Sequence, residues 1–251
     1  MSAAGTGGSP SPSPSLSLAA QRGILLAAVA ITTAACWWVV LAAGDRMMGG
    51  HHRQLLAAVP VWAAMMTGMM LPGAAPMFTA YARVNRRSGG RWSPLAAFVG
   101  AYLLLWIGVS VLGALLQQGL IGTGLLSPMG HSTRPLLSGA VLVIAGAYQF
   151  TPLKQVCLRR CRTPLGFLLT EWRPGTMGAL RLGWLHGVEC ILCCWALMGL
   201  MFVLGTMNLI GMAALSVGML VEKAAPAGAV IGRWCGGLLI AAGLVVAVAG
   251  S

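Results

Sequence analysis

The stretch Leu182-Gly183-Trp184-Leu185-His186-Gly187-Val188-Glu189-Cys190-Ile191-Leu192-Cys193-Cys194-Trp195-Ala196-Leu197-Met198-Gly199-Leu200-Met201-Phe202-Val203-Leu204 contains one acid and no lysine or arginine. As a helix rising about 1.5 Å per residue it is long enough to cross a hydrocarbon core about 30 Å thick. Within it, His186, Glu189, Cys190, Cys193 and Cys194 crowd into nine consecutive residues. Polar groups are costly in such a setting, so their concentration calls for a chemical reason.

Six further apolar runs flank this one, at 24–43, 55–82, 94–118, 135–150, 209–223 and 227–249. The 251 residues are 58% hydrophobic and 8% charged, against about 25% charged in ordinary soluble domains. The predicted fold is therefore all-α: a polytopic transmembrane helical bundle of about seven spans, multi-pass in the cell (cytoplasmic) membrane. Residues 1–22, with the tract Ser9-Pro10-Ser11-Pro12-Ser13-Pro14, read as a disordered tail ahead of a membrane domain at 23–251. The 24–43 run is too long for the core of a cleaved signal peptide, which points to a retained helix.

A net charge of +12 would suit a nucleic-acid binder if it formed a patch, but the cations lie between the apolar runs. With the N-terminus inside, seven spans assign 13 of the 16 Lys and Arg to the cytoplasm and leave Arg46, Arg53 and Arg134 outside. That bias supports an N-in, C-out orientation and no nucleic-acid partner. Pro72 and Pro76 should kink or break the second span. The basic connection 151–181 should hold a short interfacial helix and turns, and Gly228, Gly232 and Gly236 offer a surface for close helix packing.

On a helix, His186, Cys190 and Cys193 or Cys194 fall on one stripe that continues to Met201, joining imidazole, thiol and thioether. Such a set suits Cu(I), with zinc second. Seven cysteines, an odd number, favour reduced thiols over a disulfide framework. Glu189 could be a ligand, a partner orienting His186, a proton carrier, or half of an ion pair with Arg181 or another base. Met65 and Met69 form one stripe of the second span and Met66, Met70, Gly73 and Met77 its neighbour. Met69 and Cys193 both come out near mid-membrane, which makes a shared site geometrically feasible. Cys157 and Cys161, one turn apart in the basic connection, could pass a soft metal inward. Met47, Met48, His51 and His52 form a weaker outer candidate.

With these residues in view, the chain resembles a bacterial and archaeal family of predicted metal-binding integral membrane proteins, a domain of unknown function with a copper-chaperone-like label. The resemblance covers about 62–223. It rests on Met69-Met70-Leu71-Pro72 with Ala74-Ala75-Pro76-Met77; on Tyr148-Gln149-Phe150-Thr151-Pro152-Leu153-Lys154 with Cys157, Cys161 and Arg162-Thr163-Pro164-Leu165-Gly166; and on His186-Gly187 with Cys190 and Cys193-Cys194-Trp195-Ala196-Leu197-Met198. It implies metal binding and no particular reaction, and Glu189 stands where the family pattern leads one to expect an apolar residue.

The sequence thus predicts a membrane protein binding a soft metal in copper delivery, storage or transport. Its partners would be the lipid bilayer and a metal-donor or acceptor protein, with room for an oligomer. The alternatives are a membrane thiol or copper redox enzyme and a structural subunit of a membrane complex. With no phosphate-cradling Gly-Lys-Ser/Thr loop and no Gly-x-Ser-x-Gly elbow, the sequence argues against an ATP-driven pump or a serine hydrolase.

Overall fold

The structure, a computed structural model, describes residues 17–43, 51–87, 92–127, 130–206 and 208–250, with 51–57 and 87 described in backbone only. Residues 1–16 of the expected tail, Met47 and Met48 lie outside the described residues, as do the side chains of His51 and His52.

The fold is an all-α bundle. Helix α1 (Leu18–Ala43) begins six residues before the expected run, because the Ser17 hydroxyl accepts from the Ala20 amide at 3.1 Å and caps it. Residues 18–22 therefore belong to the helix and not to the tail. Helix α2 (His51–Arg87) continues unbroken through Pro60, Pro72 and Pro76, which corrects the expected break. Each proline removes only one donor from the ladder, and α2 packs against α1, α3, α6 and α9.

After α3 (Trp92–Gly122), α4 (Pro135–Tyr148) turns through 63° into α5 (Pro152–Arg162). Pro152 at the first helical turn and Thr151 as its cap, accepting from the Lys154 amide, start the new axis. Then come α6 (Pro164–Glu171) and α7 (Gly175–Gly199), which starts seven residues before Leu182 and shortens the polar connection to two small helices. After α8 (Met201–Leu204), Gly205 adopts φ +95° and allows the turn toward α9 (Leu209–Ala224), whose first turn Asn208 caps. The last element is α10 (Gly228–Ala249).

Five segments are long and apolar enough to cross a membrane: Leu18–Ala43, Ala58–Arg86, Trp92–Gly122, Gly175–Leu204 and Gly228–Ala249. Counting the bent α4–α5 pair makes six, against about seven expected from the sequence. The one short of seven is α9, whose 16 residues rise only about 24 Å. Even so, α9 leads from the end of α8 back to the start of α10.

The closest packing joins α4 to α10. A Cβ at Gly146 would lie 2.6 Å from the Gly236 carbonyl, and one at Gly139 would lie 2.7 Å from that of Gly243. The glycine surface expected on α10 is buried: Gly236, with Gly243 beyond it, meets the α4 backbone, while Gly228 and Gly232 make room for Glu222, Arg162 and Gln149. Gly236→Val should lower thermal stability in detergent by about 1–3 kcal/mol, because even a Cβ there would lie 2.7 Å from Gln149 Cβ and 2.9 Å from the Gly146 carbonyl oxygen, positions fixed by the α4 backbone. Circular dichroism melting of the full chain checks this.

The core lies where α2 meets α3 and α7. Tyr81 stacks on Phe98 at 4.5 Å, and Phe78 packs edge-on against Phe98 and Tyr102. This aromatic layer sits beside the cysteines of α7.

Candidate metal centre

The helical repeat sets the site. On α7, His186, Cys190, Cys193, Cys194, Ala196 and Met198 are buried, while Trp184 and Trp195 face outward. The Cys193 and Cys194 thiols both donate to the Cys190 carbonyl, at 3.1 and 2.9 Å, folding back along their own helix. This brings the sulfurs of Cys190, Cys193 and Cys194 within 4.8 Å of one another.

Four other helices complete the surroundings. From α2, Met70 Sδ lies 3.8 Å from Cys194 Sγ, so the methionine helix and the cysteine helix do meet. From α5, Cys161 is buried against α7, outside the group of three mutually close thiols. Lys223 of α9 places Nζ 3.1 Å from Cys190 Sγ and 3.9 Å from Met70 Sδ. Its stem crosses α2 at Gly73, where a Cβ would sit 3.2 Å from the lysine Cδ. The Tyr102 hydroxyl of α3 lies 3.3 Å from Cys190 Sγ and also reaches the Met70 carbonyl. Cys190 is therefore the hub, touched by an ammonium, a phenol and neighbouring thiols. All seven cysteines are free, in keeping with reduced thiols.

The other expected residues are placed differently. His186 is buried on the expected stripe, but its ring sits among Phe98, Tyr102 and Phe167, outside the group of three mutually close thiols. Neither ring nitrogen has a hydrogen-bond partner among the described residues, which is costly for a buried imidazole. Glu189 pairs with Arg160 of α5 at 2.7 Å, not with Arg181, which pairs with Glu171 at 3.0 Å. Cys157 and Cys161 are both buried, one turn apart on α5, which packs against α7. Of Met65, Met66, Met69, Met70 and Met77, Met70 is the one that meets a thiol among the described residues, 3.8 Å from Cys194 Sγ. Met65 and Met69 line a small apolar cleft with Trp37 and Met212, Met66 borders a lateral apolar cavity of about 430 Å³, and Met77 is core.

Lys223 and Tyr102 escaped the sequence reading as site residues, and Gly73 entered it only as a member of the Met66 stripe. Lys223 follows Glu222 at the end of an apolar run, which is also the signature of a boundary charge, and only the fold turns it inward.

The donor set consists of thiols and one thioether, all soft, in a buried setting, with a cation able to offset thiolate charge. It fits Cu(I) and does not fit the oxygen-seeking cations. The copper chaperone family (PpoB2) matches residues 59–246, about three quarters of the chain. No curated protein and no solved structure matches it.

Proposed function

We propose that this chain, which belongs to the PpoB2 copper chaperone family, is a multi-pass protein of the cell membrane that holds Cu(I) for transfer to a protein partner. The observation that carries the reading is the convergence of the Cys190, Cys193 and Cys194 sulfurs, with Met70 Sδ at 3.8 Å from one of them. Cu(I) would bind to two or more of these sulfurs. Lys223, beside Cys190, offsets the negative charge that thiolates bring into a low-dielectric interior.

Delivery asks for ligands that can be exchanged stepwise. The neighbouring sulfurs of Cys161 and Met70 offer successive positions for the ion, so it can shift between donors without leaving sulfur. In the N-in, C-out arrangement α5 would lie toward the cytoplasmic side, and Cys157 and Cys161 would then offer sulfurs on that side of the thiol group. Zinc fits less well, since structural zinc takes four ligands in a tetrahedron and the tight group offers three thiols.

The test is anaerobic purification of the full chain in detergent, loading with Cu(I), removal of excess by a competing chelator, and elemental analysis. Wild type should retain copper, and Cys190→Ser/Cys193→Ser/Cys194→Ser should retain none above background. Equal retention by the two proteins would overturn the site.

A further inference from the structure

We propose a second binding site, for an anionic phospholipid, in the groove between α1, α2 and α6. It rests on the membrane reading above and is independent of the metal. The groove, of about 450 Å³, has Arg22 and Arg83 among its walls, with Leu26, Pro76, Ala80 and Leu165 supplying apolar surface. Because α1 and α2 run antiparallel, the start of one and the end of the other meet at the same level, and α6 closes the groove there.

Neither guanidinium group has a counter-charge among the described residues. The described acids Glu171, Glu189 and Glu222 are taken by Arg181, Arg160 and Lys154, so neither Arg22 nor Arg83 has a carboxylate partner among the described residues. Each guanidinium can present a planar fork of donors that matches phosphate oxygens. The apolar lining below them suits the first methylenes of an acyl chain.

The short helix α6 indicates that the occupant is a lipid and not a soluble anion. It buries Phe167 and Leu168 against the bundle while Leu165 and Leu169 stay 61% and 82% exposed. A helix that turns leucines outward beside arginines has the character of an element lying at the boundary between headgroups and acyl chains. Basic pockets between helices on the cytoplasmic side are a recognised mode of anionic headgroup binding.

The experiment uses the full chain in a mild detergent, titrated with phosphatidylglycerol or with phosphatidylcholine of the same acyl chains, and reads bound lipid by native mass spectrometry. Wild type should favour phosphatidylglycerol by about tenfold or more. Arg22→Gln/Arg83→Gln should fall to the phosphatidylcholine level, while Arg22→Lys/Arg83→Lys and Arg134→Gln keep most of the preference. Circular dichroism of each variant, matched to wild type, guards against misfolding, and the lysine pair keeps the charge if the glutamine pair fails to fold. No preference in wild type, or a preference unchanged in the glutamine pair, would overturn the site. So would glycerol phosphate binding as tightly as the lipid, since that would make the occupant a free phosphate. Failure of the chain to co-float with vesicles would instead overturn the membrane reading on which the proposal rests.

Discussion

Cys190→Ser alone should reduce Cu(I) retention at least a hundredfold against a competing chelator, and more than any other single substitution. Cys161→Ser and Met70→Leu should each cost about tenfold. The ranking follows from geometry. Cys190 lies in the group of three thiols, receives Lys223 Nζ at 3.1 Å, and meets the Tyr102 hydroxyl at 3.3 Å. Serine offers a hard, neutral oxygen where the soft thiolate stood, so the ion loses its central donor and Lys223 loses its counter-charge. Met70 contributes a neutral thioether from one side and can be replaced by a neighbouring sulfur. The same order should appear in the thiolate-to-Cu(I) charge-transfer absorption during titration. A Cys190→Ser protein that binds copper like wild type would mean that the hub is elsewhere.

How far the sequence could lead depends on which interactions are local. The cysteine face of α7 follows from the helical repeat alone, because Cys190, Cys193 and Cys194 are within a turn of one another. The helices themselves were legible from apolar length, and the glycine face of α10 from its spacing. Whether α2 reaches α7 was not, since Met70 and Cys194 are far apart in the chain and their contact depends on how α3 spaces the two helices. The same holds for Lys223: as a sequence feature it counts as a boundary charge, and only the return of α9 along α2, with Gly73 leaving room, carries its ammonium to Cys190. The prolines misled in the other direction. They mark weak points of an isolated helix, but α2 packs on α1, α3, α6 and α9, and tertiary contacts outweigh the loss of single backbone donors.

Glu222→Leu should be the most damaging substitution to stability, at about 3–5 kcal/mol, enough to unfold a marginal protein. Lys154 is 1% exposed and its ammonium has two side-chain partners, Glu222 Oε2 at 2.8 Å and the Gln149 carbonyl oxygen. Gln149 in turn donates to Glu222 Oε1 at 3.1 Å, so the network ties the α4–α5 bend to the end of α9. Removing the carboxylate leaves a buried cation with one neutral acceptor, and that desolvation cost drives the loss. The damage should be largely reversed in Lys154→Met/Glu222→Leu, since an apolar pair of similar size leaves no charge to satisfy. Thermal melts of the wild type, both single variants and the double variant form a cycle, and a strong favourable coupling is the expected result. Additive losses would show that the pair contributes only packing. Arg162 adds a check that separates fold from site. Its guanidinium donates to the Glu222, Ala225 and Pro226 carbonyls and pins the end of α9 independently of the ion pair. The double variant should therefore still direct Lys223 to Cys190 and retain copper close to the wild-type level, whereas Glu222→Leu alone should lose copper in step with its fold.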